Sequence, residues 1–511
     1  MKTKAAFKSH LVLMLFTTIF TVLFSFTLSN MMNPYIVSDL GGSTDICSYT
    51  LSFFGVGNAL GIPLGAKLPA RFGHRKFFVG CMLLFALASW GCSSAATFPI
   101  LVFFRFLEGF VSGPLYALIP IVLRMLPNED RTNFTASTIS IFTVVPVLGA
   151  CWGGWLAYNC HWQWGFAIET YLMLILSFYM WKQLGQYDFA LEREPFNGVG
   201  YFFYFIGLLS LSTVIILVQY SDWYRSPLLA ALTLIGLPCF LFFLLWDWHH
   251  PYPILKMRLL KKFSYSFGLL CLSLLFAVYF ATLILLAVWL NLYVVYTPIW
   301  IAYLFGIMGI IGLIPIFLVR KKYGLADYDT RITLGIAILF FAISSFHTMI
   351  FNEEIDFGRI VVTRITAGLG LAFFLPPLFR IAFHTFPEEE SLHSMVLFQT
   401  VRALSSGLGV SIFTTTWWRR RIFFHERLGG ALTPFNEITD EFFVRAKRFG
   451  LQNMEPLAQL DAYLDRNSTA LALEDIFYLM AWMMVGLLFL LILTYLFRVR
   501  GFIPEHQSIP K

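Results

Sequence analysis

The chain has 511 residues, 58% of them hydrophobic and 13% charged, with a formal net charge of +7. Soluble domains carry about 25% charged residues, so this composition excludes a soluble enzyme or binding module and points to an all-α, polytopic membrane protein. The basic residues sit in short loops, the pattern of membrane topology, and are no signature of a nucleic-acid partner.

Lys2, Lys4 and Lys8 precede the first apolar run, 11–33. That run is too long for the core of a signal peptide and no small-x-small cleavage site follows, so it predicts a retained first helix. Hydropathy then predicts helices over 49–70, 77–96, 99–125, 135–157, 164–182, 199–218, 228–247, 266–293, 298–319, 331–350, 359–382, 394–416 and 475–497. Each is near the length that crosses about 30 Å of hydrocarbon. Fourteen transmembrane helices place both ends on one side of the lipid bilayer. Loops and ends on that side hold about 22 of the 36 Lys and Arg, whereas the short loops opposite hold about two, Arg225 and Arg359. The positive-inside rule makes the ends cytoplasmic. Segment 417–474 is expected outside as a long loop carrying a short amphipathic helix around 437–449.

Charges and small residues inside the spans are the functional candidates. Arg105 and Glu108 lie three apart in the fourth span and so share a helix face. A charge at mid-membrane is costly and marks a pathway or a paired site. Proton transfer and a self-satisfied ion pair are the two readings. Gly109, Gly113 and Pro114 follow on the same span. The fifth span carries Pro146, Gly149, Gly153 and Gly154. Each glycine in a helix interior costs about 1 kcal/mol relative to alanine, and close helix contact is what offsets that. This predicts a tightly packed, bendable hinge. Glu169 in the sixth span reads as a rim residue near the outer surface, reached by water, with a second proton site as the alternative. Arg364 reads as structural, having no acidic partner beside it in sequence, with a substrate contact as the alternative. Arg402 precedes the small-residue face Ser405-Ser406-Gly407-Leu408-Gly409 and is either a packing residue or a substrate contact. Phe53, Phe54, Phe103, Phe104 and Phe373 are candidates to line an apolar cavity, as drug-sized ligands require.

The seven cysteines show neither metal spacing nor a disulfide framework, although Cys47 and Cys160 both fall near the expected outer face. No metal or cofactor is predicted. No phosphate-cradling Gly-x-x-x-x-Gly-Lys-Ser/Thr motif is present, which excludes a primary pump.

The chain also repeats itself. Arg105-Phe-Leu-Glu108-Gly109 is echoed by Arg364-Ile-Thr-Ala-Gly368, Arg71-Phe-Gly73-His74-Arg75-Lys76 by Arg320-Lys321-Lys322-Tyr323-Gly324, and Gly154 by Gly409, at offsets of 259, 251 and 255 residues. A parallel duplication of six-helix halves places a substrate site between them near the midplane. It divides the chain into residues 1–182, a six-helix half; 183–262, an inserted helix pair with linkers; and 263–511, the second half with its outer loop 417–474.

The stretch Val145-Pro146-Val147-Leu148-Gly149-Ala150-Cys151-Trp152-Gly153-Gly154, with His161-Trp162-Gln163-Trp164 after it, resembles the fifth-helix antiporter motif of the major facilitator superfamily. In particular it is similar to the fourteen-helix drug:proton antiporters of the Emr type. Ala150 stands where that family has a second proline. Arg105 to Pro114 resembles the family's fourth-helix motif, in which the arginine is linked to proton transfer. Thr27, Asn30 and Pro34 match its first-helix pattern, but Ser25 occupies the aspartate position and Glu108 a position usually glutamine. The resemblance implies that Glu108 replaces the lost carboxylate from the facing helix, or that coupling is altered, or that the coupling ion is not a proton. Lys67 to Lys76 resembles the cytoplasmic loop motif, whose residues, here Arg71, Gly73, Arg75 and Lys76, would latch the halves in the outward-facing state. Ala70 in place of its aspartate weakens that latch.

The implied function is proton-coupled export of amphipathic or hydrophobic small molecules from a bacterial inner membrane. Ser25, Asn30, Phe54, Asn58 and Arg402 are the cavity candidates. Loop 417–474, including Pro434-Phe435-Asn436, resembles the periplasmic loop of Emr-type exporters and implies a periplasmic adaptor and an outer-membrane channel as partners. A major facilitator for one specific metabolite, or a non-transporting membrane sensor or scaffold, are the alternatives.

Overall fold

The computed structural model describes residues 2–42, 46–185, 195–322, 330–351, 355–433, 435–450 and 454–497, and these form helices and turns with no strand among them. In chain order the helices are α1 (Lys2–Asp39), α2 (Tyr49–Lys67), α3 (Pro69–Phe72), α4 (His74–Ser93), α5 (Phe98–Ser112), α6 (Leu118–Met125), α7 (Asn128–Asn159), α8 (Gln163–Leu184), α9 (Gly198–Leu217), α10 (Pro227–His249), α11 (Phe263–Leu292), α12 (Pro298–Lys322), α13 (Thr330–Met349), α14 (Phe357–His384), α15 (Glu388–Gly429), α16 (Glu437–Arg448) and α17 (Glu455–Leu496).

Among the described residues twelve helices are long and apolar enough to cross a membrane, with α5 and α6 counted as one span over Phe98–Met125. The fourteen expected spans are therefore matched only roughly. The two outside that count, α2 and α12, still lie in the bundle, and α12 is apolar over Pro298–Leu313. In α2, 16 of 19 residues are buried, so it meets protein and not lipid, and needs no apolar surface. It is built instead from small residues. A methyl group added at Gly57, Gly61 or Gly65 would collide with the backbone of Phe106, Phe110 or Pro114, so α2 and the fourth span touch backbone to backbone.

The fourth span is not the single helix predicted over 99–125. A 3-10 turn at Gly113–Ala117 interrupts it. Pro114 has no N–H to give the Phe110 carbonyl, and Gly113 presses on the backbone of Asn58 and Ile62.

Packing repeats along the chain. In the first group, α1 packs on α7, α2 on α5, α4 on α8 and α4 on α5; in the second, α11 packs on α15, α12 on α14, α13 on α17 and α13 on α14. The groups meet through α2 with α15, α7 with α12 and α1 with α11. At the first seam Ser52 Oγ donates to the Gly407 carbonyl at 2.9 Å and accepts from Ser411 Oγ at 2.7 Å.

The pair α9 and α10 lies on the outside, α9 touching both α2 and α15. Pro63 in α2 leaves the Ala59 carbonyl without its helical donor. Tyr204 on α9 fills the gap, its hydroxyl donating to Ala59 O at 2.8 Å, while Tyr201 donates to Leu60 O at 3.0 Å. Tyr204→Phe should therefore destabilise by about 1–3 kcal/mol, since it orphans a buried carbonyl. Tyr201→Phe should cost less, because the Leu64 N–H still serves Leu60. Thermal unfolding midpoints of the two variants in detergent check the ranking.

The expected loop 417–474 is corrected. α15 continues unbroken to Gly429 and α17 begins at Glu455, so most of the segment is a helical hairpin. Hydropathy ends the spans where charges begin, but these charges pair across the hairpin. Arg421 grips Asp465 with bonds of 2.5–3.1 Å, Arg420 Nε donates to Asp475 Oδ2 at 2.6 Å, and His425 lies 3.4 Å from Asp461. The amphipathic helix is α16, capped by Asn436 Oδ1, which accepts from Ile438 N at 3.0 Å. Pro434, Tyr323 and Gly324 lie outside the described residues.

Candidate functional site

The strongest polar cluster in the interior forms where α1, α4, α5 and α8 converge. Arg105 and Glu108 are both fully buried, and Arg105 Nη1 donates to Glu108 Oε2 at 2.6 Å. The same nitrogen reaches Ser25 Oγ at 3.1 Å, and Nη2 donates to the carbonyls of Ser25 at 3.0 Å and Phe26 at 3.3 Å. Ser25 Oγ in turn donates to Glu108 Oε1 at 2.9 Å. Ser25, standing at the aspartate position, thus joins the arginine to the carboxylate on the facing helix.

Glu169 belongs to this cluster. It is 2% exposed, not a rim residue. α8 starts at Gln163, so Glu169 falls in its second turn, on the side turned to α4. Ser89 Oγ on α4 lies 3.5 Å from Glu169 Oε2 and donates to the Phe166 carbonyl at 3.0 Å. Glu169 is within electrostatic reach of both Glu108 and Arg105, and its Oε1 has no hydrogen-bond partner. Cys92 Sγ, also on α4, approaches Glu108 Oε2 at 3.8 Å. Ser89 and Cys92 carry no sequence motif; their spacing of three is the one sign that they share a face.

Phe54 is 1% exposed and its ring lies 4.6 Å from the Arg105 guanidinium carbon, so it lids this cluster. Gly109 allows that approach, because a methyl there would strike the Phe54 carbonyl. Asn30 is 2% exposed with neither side-chain atom partnered, in a small cavity shared with Pro34, Asn291 and Pro298.

A second group of polar residues sits between the two packed groups. Arg402 is 2% exposed, and its guanidinium carbon lies 4.8 Å from the Tyr116 ring, 5.1 Å from Phe142 and 5.9 Å from Phe276. Asn58 Nδ2 donates to Ser112 Oγ at 2.9 Å, leaving its Oδ1 without a partner. No sequence signal marks Tyr116, Phe142, Phe276 and Gln399, because their meeting is non-local. Arg364, by contrast, stays within the second group, where its Nη2 donates to Thr348 Oγ1 at 3.2 Å.

The glycines of α7 are contact points. A methyl at Gly149 would meet Thr27 Oγ1 and the Phe24 carbonyl, one at Gly153 the Leu28 carbonyl, and one at Gly154 Met31 Sδ at 3.1 Å and Pro298 O at 3.3 Å. Gly149 and Gly153 face α1, while Gly154 stands between α1 and α12. Pro146 lies inside α7, which runs on as one helix to Asn159.

The basic loop behaves differently from a latch between halves. Arg75 stacks on Trp181 of α8 at 3.9 Å, within its own group, and Arg71 and Lys76 are exposed. Gly73 caps α4 with φ +85°, a conformation that favours glycine. Phe103 is 56% exposed and points out of the bundle, and Phe104 packs on Gly91, so neither lines an internal cavity. Cys81, Cys92, Cys151, Cys160, Cys239 and Cys271 are in no disulfide, and no metal-binding group occurs among the described residues.

Two similarly packed six-helix groups, with a buried charge cluster in one and small-residue contacts along the seam, define the architecture of a secondary transporter. The chain belongs to the Major Facilitator Superfamily, whose family description matches residues 14–410. It is similar to the "Multidrug export protein EmrB" of Haemophilus influenzae, 28% identical over 90% of this chain and 91% of that protein. It is equally similar to the "Fatty acid resistance protein FarB" of Neisseria gonorrhoeae, 28% identical over 93% of each. The EmrB of Escherichia coli is 27% identical over 91% of this chain and 90% of its own. Among solved structures, a bacterial homologue of the human lysosomal transporter Spinster in an inward-facing state aligns with a TM-score of 0.58 at 13% identity, covering 96% of this chain and 98% of that one. The POT family transporter PepTSo aligns with a TM-score of 0.58 at 12% identity over 93% of this chain and 98% of that one. These two show the fold alone.

Proposed function

We propose that this protein is a proton-coupled exporter of amphipathic or hydrophobic small molecules, of the multidrug efflux type, working in a bacterial inner membrane with both ends in the cytoplasm. The observation that carries the proposal is the buried triad of Arg105, Glu108 and Glu169. With both carboxylates ionised it holds one net negative charge away from water. A charge at mid-membrane costs about 2.5–3.5 kcal/mol on insertion scales, and one bound proton removes it. Opening the cluster to water on either side would reverse that preference. The bound proton then biases the balance between inward-open and outward-open states.

The relatives support export, since those named EmrB are multidrug export proteins. In this reading residues 1–182 and 263–511 are halves that rock about the seams where α2 meets α15 and α7 meets α12, with α9 and α10 as the inserted pair. Gly149, Gly153 and Gly154 let α7 slide on α1 and α12 as Pro146 flexes it. Gly109, Gly113 and Pro114 keep the fourth span against α2. The test is transport by the purified protein in liposomes. An imposed pH gradient, acid outside, should drive efflux of a hydrophobic dye, and a protonophore should abolish it. Gradient-independent dye movement would reject the coupling.

The hairpin of α15 and α17 with α16 would stand outside, where it exposes Phe435, Ile438, Phe449 and Met454. These would meet the periplasmic adaptor of a pump that continues through an outer-membrane channel. A cysteine at Phe449, labelled in intact cells by an impermeant thiol reagent, places the hairpin outside. Labelling only after lysis would invert the topology.

A further inference from the structure

We infer that Arg402 and Gln399, walled by Tyr116, Phe142 and Phe276, form the seat for the acidic group of an amphipathic organic anion, so that the exported class is monoanionic. The inference rests on the export reading above and adds the charge of its substrate.

Arg402 is a buried cation without a counterion. Among the described residues no carboxylate lies within 4.0 Å of it, whereas Arg105 is paired with Glu108. Its Nε donates to Gln399 Oε1 at 2.5 Å, which leaves Gln399 Nε2 without a partner although Gln399 is 1% exposed. The pair thus presents a positive charge and an unused amide donor side by side. Aromatic faces stabilise a guanidinium but do not neutralise it, and an unpaired buried charge is a strong cost to the fold. A carboxylate or similar delocalised acid supplies what is missing, accepting from the guanidinium and the amide. A cationic ligand would be repelled in the same low-dielectric setting.

The surroundings suit the rest of such a molecule. Tyr116 and Phe142 come from the first group and Phe276 from the second. The aromatic wall continues through Phe379, 5.5 Å from Phe142, and Phe374, 4.9 Å from Phe276. An apolar tail would lie against rings from both halves, so binding would sense their relative position. Arg364 lacks these features. It is equally buried and its Nη1 also has no partner, but its side-chain hydrogen bonds among the described residues go to Thr363 and Thr348, both of the second group.

The experiment compares probes of equal tail and opposite charge, dodecanoate and dodecyltrimethylammonium, binding to the purified full chain in nanodiscs by intrinsic tryptophan fluorescence. Wild type should bind dodecanoate about ten-fold or more tighter than the ammonium, a difference of about 1.4 kcal/mol. Arg402→Gln should lose that preference, Arg402→Lys should keep most of it, and Gln399→Leu should weaken dodecanoate alone. Equal binding of both probes by wild type, or an unchanged preference in Arg402→Gln, would overturn the assignment. Should Arg402→Gln fail to fold, the wild-type probe pair and Gln399→Leu decide. An Arg402→Gln variant that still exports dye and keeps the dodecanoate preference sinks the anion seat alone. Dodecanoate preference in a protein that moves no protons would sink the export reading and leave the seat standing.

Discussion

Glu108→Gln should abolish proton-driven transport while leaving substrate binding within a few-fold of wild type. The glutamine keeps the shape: its carbonyl oxygen can accept from Arg105 Nη1, 2.6 Å from one carboxylate oxygen, and its amide nitrogen can donate to Ser25 Oγ, 2.9 Å from the other. What it removes is the exchangeable proton. Efflux under a pH gradient should fall by at least about 100-fold, equivalent to about 2.7 kcal/mol, whereas dye binding in detergent should persist. The double change Ser25→Asp with Glu108→Gln should recover part of the efflux. Ser25 Oγ already lies 3.1 Å from Arg105 Nη1, so an aspartate there returns a carboxylate to the same guanidinium from the facing helix. Normal coupled efflux by Glu108→Gln would move the proton site to Glu169.

Gly153→Leu should be as damaging for a different reason. A methyl at this position already overlaps the Leu28 carbonyl and approaches Met32 Sδ at 3.2 Å. A leucine must push α7 off α1, at about 1–3 kcal/mol or more of strain. Because both helices also face the second group, the shift should block movement between states rather than unfold the chain. The expected result is membrane-inserted, monodisperse protein with no efflux. Gly154→Leu should add a clash with Pro298 O across the seam. Efflux near the wild-type level in both variants would show that α7 is not held as described.

Much of this could be read from the chain because it is local. Arg105 and Glu108 declare themselves by a spacing of three in an apolar run, and the α7 glycines by their cost. The repeat in sequence returns as matched helix pairs. Glu169 reads as a rim residue in sequence because hydropathy reports depth along a helix but not its phase, and it is phase that turns Glu169 toward Ser89. The hairpin reads as a loop in sequence because charge looks like solvent, whereas Arg420, Arg421 and His425 face Asp475, Asp465 and Asp461. Phe103 and Phe54 have the same composition, yet one points outward and the other covers Arg105, a distinction made by neighbours far along the chain. The cage around Arg402 joins residues 116, 142, 276, 399 and 402, which no spacing rule connects.

The central claim is that the buried triad holds a proton which substrate binding releases. The direct measurement is proton release by the purified protein in weakly buffered detergent, read with a pH-indicator dye as dodecanoate or a hydrophobic dye is added. Wild type should release about one proton per substrate bound, the number that neutralises the triad. Glu108→Gln should release none while still binding. The same release from Glu108→Gln, or binding by wild type with no proton released at any pH between 6 and 8 (roughly the span in which a coupling group must titrate), would contradict the account.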